Sequence, residues 1–334
     1  MDWKTQIRDL WSRVSWNGTA AFTLPGVLFE IQPDFVMAAR LAGRSNGNGH
    51  AQVGHLVLEP LELGTLAASP AGPAVLNSPN LAEALAKTAS QVGNGQNRIG
   101  LLLPDGVARV SVFPLESLPQ NRREAATLLG WKMRETLPFP PEEARLTYQI
   151  ATVPAAAGSG EPSLEVIVVA VRSTVLSEFE RLVENINRSS AMVLPATMAL
   201  LPLLASDIPG GQFLLHVYST TATYAVVEGQ RLRFWRSRDF AGLDLDEFFN
   251  QVAAEAGRVV ASTEDRLSLP LGRIWLCTRP PATDAWADQL AAVLGREVER
   301  LEPAPEMAGL LTGEDRTLFR TYGATLAGLA ANKQ

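Results

Sequence analysis

Cysteine and histidine are almost missing from this chain of 334 residues. The single cysteine, Cys277, excludes an internal disulfide and any zinc site built from several cysteines, and three histidines are too few for a histidine-rich metal centre. A basic excess is missing as well. Lysine and arginine number 29 against 35 aspartates and glutamates, leaving −6, which argues against a general nucleic-acid binder with its basic stripe or patch. No apolar run is long enough to cross a bilayer: Met192 to Ala205 has 14 residues and two prolines, whereas a spanning helix needs about 20. The first residues do not form the apolar segment of a signal peptide, because Trp3, Lys4, Arg8, Asp9 and Arg13 interrupt it. What is present is 46% apolar residues with only 19% charged, enough to bury a large core over the length of about two domains. A soluble protein is expected, and the cysteine usage fits a reducing cytosol without demanding it.

Periodicity gives the organisation. Trp3, Ile7, Leu10, Trp11 and Val14 fall within an arc of roughly 100° at helical pitch, so residues 1–18 are expected to form an amphipathic helix ended by Asn17-Gly18. It either docks on its own protein, the favoured reading, or lies on a membrane or a partner. Residues 27–41 and 51–61 read as two strands, joined by a glycine-rich tip at 43–49. A helix starting near Asn80 follows, then strands at Ile99–Leu103 and Val107–Val112. The Pro104-Asp105-Gly106 turn between them predicts a hairpin. A helix from about Asn121 to Leu137 ends at Pro138-Phe139-Pro140-Pro141. Strands at 146–153 and 164–171 and a helix capped by Ser173 lead to Pro209-Gly210-Gly211, where the pattern restarts. A three-strand meander (213–218, 221–227, 231–236), a long helix from Leu245, a strand at 273–277, a helix with Trp286 and a last helix over 315–329 follow. Meanders followed by helices thus occur twice, which predicts a two-lobed α/β protein made of related halves.

The segments LLLPDGVARVSVFPL, TLPFPPEEARLTYQI, LEVIVVAVRSTVLSEFERLVENI and MVLPATMALLPLL, in that order between Leu101 and Leu204, resemble the PilM family. This is the actin-like, FtsA-related cytoplasmic family of type IV pilus assembly. The likeness extends to the cytoplasmic part of the type II secretion protein GspL. It implies a two-lobed actin-like (ribonuclease H-like) fold with an inserted subdomain of the FtsA/PilM type at about 115–187. The first lobe would span 19–208 and the second 209–334. It also implies a place in the cytoplasm at the inner face of the inner membrane, and a partner of the PilN type whose cytoplasmic peptide lies between the first lobe and the inserted subdomain. Trp131, Arg134, Phe139 and Tyr148 are the candidate wall for that peptide, since aromatic and arginine side chains most often dominate binding energy. A homo-oligomer stays open.

An actin-type nucleotide site needs turns that offer glycine and backbone N–H groups to phosphate, and a carboxylate near the metal. The first turn here reads Glu30-Ile31-Gln32-Pro33-Asp34-Phe35, the second His216-Val217-Tyr218-Ser219, and the place of the family's glycine pair holds Cys277-Thr278-Arg279-Pro280-Pro281. Pro33 has no N–H, and Gln32 and Phe35 add bulk where phosphates enter. Three altered turns out of three predict a non-catalytic scaffold with no cofactor and no metal, a pseudo-ATPase. An ATP-binding actin-like protein and an FtsA-like membrane tether are the alternative readings. Elsewhere, His216 reads as a core or edge histidine and Cys277 as packing at a strand end. Arg231, Arg233, Arg236 and Arg238 read as a solvated strand face, with an anionic partner or a membrane surface as the other reading.

Overall fold

The computed structural model describes residues 24–42, 51–93, 97–153, 163–205, 207–279, 285–309 and 311–331. The amphipathic helix expected over 1–18 and the loop tips at 43–49 and 155–162 lie outside the described residues. Strands β1 (Val27–Ile31), β2 (Phe35–Ala42) and β3 (Gln52–Pro60) form an antiparallel meander, followed by helix α1 (Ser78–Val92) and strand β4 (Arg98–Leu103). The chain then leaves this sheet for β5 (Ala108–Leu115), α2 (Arg122–Met133), β6 (Ala144–Val153) and β7 (Ser163–Arg172). It returns through α3 (Ser173–Asn185) to β8 (Ser189–Pro195). The second half comprises β9 (Gly211–Tyr218), β10 (Thr221–Glu228), β11 (Arg231–Asp239), α4 (Leu245–Leu267), β12 (Leu271–Thr278), α5 (Ala285–Leu294), β13 (Glu299–Arg300), α6 (Gly313–Tyr322) and α7 (Ala324–Ala331).

Two five-stranded sheets have the same order, β3-β2-β1-β4-β8 and β11-β10-β9-β12-β13. In each, a meander supplies three strands, and the two later strands add in parallel beside the first of them. The expected pair of related lobes is therefore present. β1 is buried along its whole length because it sits mid-sheet with both faces covered. Val27, Phe29 and Ile31 pack toward α1 and α3, and Leu28 packs on the opposite face. α1 starts where the Asn77 side chain accepts a hydrogen bond from the Asn80 N–H at 3.2 Å. α4 starts at Asp244, which caps the Glu247 N–H at 2.8 Å, and its 23 residues give a rod of roughly 35 Å.

Several sequence expectations are corrected. Residues 27–41 are not one strand: the chain reverses at Gln32–Asp34, where the Gln32 N–H bonds the Phe35 carbonyl at 2.9 Å, and Pro33, lacking a donor, suits the turn. The Asp105-Gly106 turn does not make a hairpin. β4 belongs to the first sheet and β5 to a separate sheet ordered β5-β7-β6. Gly106 is needed for close approach, since a Cβ there would lie 2.2 Å from the Ala68 carbonyl oxygen.

The inserted unit begins at β5 and ends with β7. α3 instead packs Val175, Phe179 and Val183 on the first sheet, so the span 115–187 is shifted and shortened. Within the unit, Ala125, Leu129 and Met133 of α2 are fully buried over the sheet, while Leu128 is half-exposed. The last helix is two helices broken at Gly323, whose added Cβ would meet Phe319 at 2.3 Å. Nor does 209–334 form one lobe. Leu326, Ala327 and Leu329 pack with Leu28, Met37 and Leu102 of the first sheet, because α7 is apolar all round and fills that sheet's uncovered face.

α7 lies against the short 310 segment Ala196–Leu203 so closely that a Cβ on Gly328 would sit 1.8 Å from the Ala199 carbonyl oxygen. Gly328→Ala is expected to lower stability by about 1–3 kcal/mol through overpacking. Gly257→Ala, inside α4 and no nearer than 4.0 Å to any neighbour, is expected to raise it by about 0.5–1 kcal/mol. Urea midpoints of the two variants check both signs.

Candidate functional site

The first turn and the strand end after β12 meet between the lobes. The Glu30 side chain, 0% exposed, accepts hydrogen bonds from Gln32 Nε2 at 2.8 Å, Arg279 Nη2 at 2.6 Å and Thr325 Oγ1 at 2.5 Å. Arg279 is itself 5% exposed, and its guanidinium stacks 5.0 Å from the Phe35 ring centroid. One carboxylate therefore ties together β1, the end of β12 and α7. Burial alone would lower the Arg279 pKa, but Glu30 outweighs it and raises the value, so the charge is held. Asp34 is pushed up by burial and drawn back in part by Arg279. Removing either Glu30 or Arg279 alone would leave a buried charge unpaired, a loss of roughly 3–5 kcal/mol.

A second buried polar group lies where β4 and β8 meet the second lobe. The Asp105 carboxylate accepts the Thr197 N–H at 2.9 Å, the Thr197 hydroxyl, and the Thr223 hydroxyl at 2.7 Å. The Asp105 N–H donates to the Tyr218 phenol oxygen at 2.7 Å. Because the Thr197 hydroxyl donates to Asp105, its contact of 2.6 Å with His216 Nδ1 is accepted from an Nδ1–H. His216 is then the neutral tautomer, and burial together with the Arg279 charge holds its pKa well below the usual value. Burial raises the Tyr218 phenol well above its ordinary value, and the Asp105 charge adds to this. Threonine stands between the aspartate and the histidine, and every member is at most 1% exposed. This order neither orients the imidazole as a base nor offers it a substrate.

The sequence candidates thus divide. Glu30 and Gln32 belong to the first network, and His216 and Tyr218 to the second. Pro33 and Thr278 lie half-buried beside the first. Cys277 pairs in register with His216 but packs into the apolar core between the lobes, where burial raises its thiol to about 12, so no thiolate forms. These residues do not fit a magnesium nucleotide: the Glu30 oxygens are taken up by Gln32, Arg279 and Thr325, and Pro33 offers no N–H to phosphate. Among the described residues no group of three or more histidine, cysteine, aspartate or glutamate side chains could hold a metal ion. Nor is any helix there long and apolar enough to cross a membrane.

A narrow apolar cleft opens between the first lobe and the inserted sheet. Leu146, Thr147, Val169, Val171, Leu176 and Val193 line it, and Arg145 and Glu180, paired at 2.6 Å, stand beside them. None of the four expected wall residues lines this cleft. Phe139 is 7% exposed in the core under α2, and Tyr148 packs half-buried against the same core. Trp131 is 61% exposed, with the Arg134 guanidinium 6.0 Å from its ring centroid.

Among solved structures, the chain superposes on a chain of a "PilM-PilN type IV pilus biogenesis complex" with a TM-score of 0.74 and 16% identity, covering 91% of this chain and 97% of that one. The protein has the PilM fold. Weaker likenesses are to the cytoplasmic domain of EpsL, an inner membrane component of the type II secretion system of Vibrio cholerae (12% identity, 86% and 98% coverage, TM-score 0.47), and to a Bacteroides thetaiotaomicron protein with actin-like ATPase fold (11%, 82% and 89%, 0.49). The sequence matches no family model and no curated protein. Within this PilM-like fold, sequence reasoning missed Asp105, Thr197, Thr223, Arg279 and Thr325. Asp105 looked like an ordinary turn residue, and the threonines carry no spacing signal. Arg279 alone could have been found, as an arginine following the apolar stretch Ile274–Cys277.

Asp105 supplies a test of the second network. Burial raises its carboxyl to about 6, against about 3.9 in an unfolded chain. The folded state holds the proton more tightly, so the group's contribution is complete below about pH 4 and is lost as pH rises through about 6. At ~1.4 kcal/mol per unit, the stability gap between wild type and Asp105→Asn should be about 3 kcal/mol larger at pH 4 than at pH 7. Urea titrations across that window check it, and a gap independent of pH contradicts it.

Proposed function

We propose that the chain is a non-catalytic scaffold of a type IV pilus or type II secretion assembly, working in the cytoplasm at the inner face of the inner membrane. In this reading it holds the cytoplasmic peptide of a PilN-like membrane subunit. The observation that carries the proposal is the likeness over nearly the whole chain to a structure of a PilM-PilN complex. Two features of the site support it. The interlobe cleft is filled by the protein's own Glu30–Arg279 pair, which favours a pseudo-ATPase over an ATP-driven switch. The apolar cleft beside β6 suits an extended peptide, because among the described residues β6 pairs with β7 alone and so presents a second edge. Main-chain hydrogen bonds to that edge would give affinity, and the apolar lining would select alternate side chains. Phe139 and Tyr148 leave the proposed contact set because the core of the inserted unit uses them. Trp131 and Arg134 remain a separate exposed pair on α2.

The test uses a synthetic peptide copying the cytoplasmic tail of a PilN-like membrane subunit from the same organism, titrated by calorimetry. Thr147→Trp, which fills the cleft, is expected to weaken binding by about tenfold or more, roughly 1.4 kcal/mol, whereas Trp131→Ala and Arg134→Ala should leave it within about threefold. Loss of affinity in the α2 variants with none in Thr147→Trp would move the site to the outer face of α2. Absence of binding to the wild type would overturn the reading.

A further inference from the structure

Three arginines converge on one buried carboxylate in the second lobe. Glu255, 2% exposed on α4, receives Arg236 Nη1 at 3.1 Å, Arg238 Nη1 at 3.2 Å, and Arg258 through Nε at 3.0 Å and through Nη2. Arg236 and Arg238 alternate with Ser237 on β11 and share the sheet face of Phe234, which packs with α4. This face is opposite the one that joins the lobes, where Leu232 and Trp235 are buried. Burial would raise the Glu255 pKa, but the Arg258 hydrogen bond and the three nearby cations outweigh it, and the carboxylate stays ionised.

One arginine would neutralise Glu255. Three leave a local surplus of two positive charges in a protein whose net charge is −6. Their side chains are also 53%, 45% and 61% exposed. Like charges gathered this closely repel one another, which offsets part of what the further two arginines gain from Glu255. Glu255 fixes one edge of each guanidinium, and Arg238 is steadied further by the Phe240 ring 5.1 Å away. The free edges form a prearranged set of fork donors suited to carboxylates. The surroundings define the shape of the partner. Asp244, Asp246 and Glu247 are exposed along the neighbouring loop and first turn of α4. A flat anionic surface such as a membrane or a nucleic-acid backbone would meet that acidic rim, while a narrow acidic strand of protein reaches the arginines and misses it.

We propose that Arg236, Arg238 and Arg258 form a docking site for a short acidic segment of a partner polypeptide, presenting adjacent carboxylates. The site is on the opposite side of the second sheet from the lobe junction and does not depend on the peptide cleft of the first lobe.

A fluorescein-labelled hexaglutamate peptide, followed by anisotropy with the full chain, tests the proposal. Binding is expected at low salt, to weaken by about tenfold or more in Arg236→Gln/Arg258→Gln, and to disappear near 0.5 M salt, where charge attraction between exposed groups is screened within about 4–5 Å. Arg258→Gln alone leaves Glu255 two partners and serves as the folded intermediate variant. In the wild type, the peptide should also protect Arg236, Arg238 and Arg258 from phenylglyoxal, read by mass spectrometry. Equal affinity in the double variant, protection confined to other arginines, or sedimentation with phosphatidylglycerol vesicles without any peptide binding would each overturn the assignment.

Discussion

The Glu30–Arg279 ion pair joins residues 249 positions apart and brings the two lobes together. A buried pair of this kind is an uncertain source of net stability, since the desolvation of two charges offsets much of their attraction. Its consequence is positional. The Glu30 carboxylate is buried against Arg279, and Arg279 can be buried only if the end of β12 approaches β1. Thr325 on α7 completes the same carboxylate, so the last helix is held to the arrangement as well. The lobes are then fixed by chemistry that no ligand supplies.

The rest of the architecture follows from this closed junction. Apolar residues from the second sheet, from the 310 segment after β8, from the start of α7 and from the inserted strands merge into one core between the lobes. The Asp105 network fastens that core on its polar side. The inserted sheet is tied to both lobes by charge, through Arg145 of β6 with Glu180 of α3 at 2.6 Å and through Arg233 of β11 with Glu165 of β7 at 3.0 Å. A body closed in this way supports the proposal of a scaffold over that of a nucleotide-driven switch. It is suited to presenting fixed surfaces, and the apolar cleft beside β6 is the one whose place matches the proposed peptide partner.

Element types were largely legible in the sequence, because the duplicated meander carries a period of two and the helices a period of 3.6. The helix expected from about Asn121 followed directly from it, and its Ala125, Leu129 and Met133 are buried. What escaped were features set by tertiary context. Asp105-Gly106 has the composition of a hairpin turn, yet its glycine serves a backbone contact with Ala68 and its aspartate is buried. α3 has the right stripe for a helix, but nothing local says which sheet that stripe will cover. The altered turns at Glu30–Phe35 and His216–Ser219 carry the expectation of lost phosphate chemistry. Their replacement was not readable, since the pairing of Glu30 with Arg279 and Thr325 spans most of the chain. Phe139 was misjudged for a related reason: an aromatic after a proline-rich helix end can face either solvent or core, and here the inserted sheet covers it.

The central claim is that the protein's own side chains take the place of a nucleotide between the lobes. The most direct measurement is the thermal unfolding midpoint of the wild-type chain with and without millimolar Mg-ATP. A ligand present at 100 times its dissociation constant stabilises a fold by about 2.7 kcal/mol, which in a chain of this size moves the midpoint by roughly 4 °C. The account predicts no shift. A clear upward shift, with adenine nucleotide located against Glu30, would contradict it.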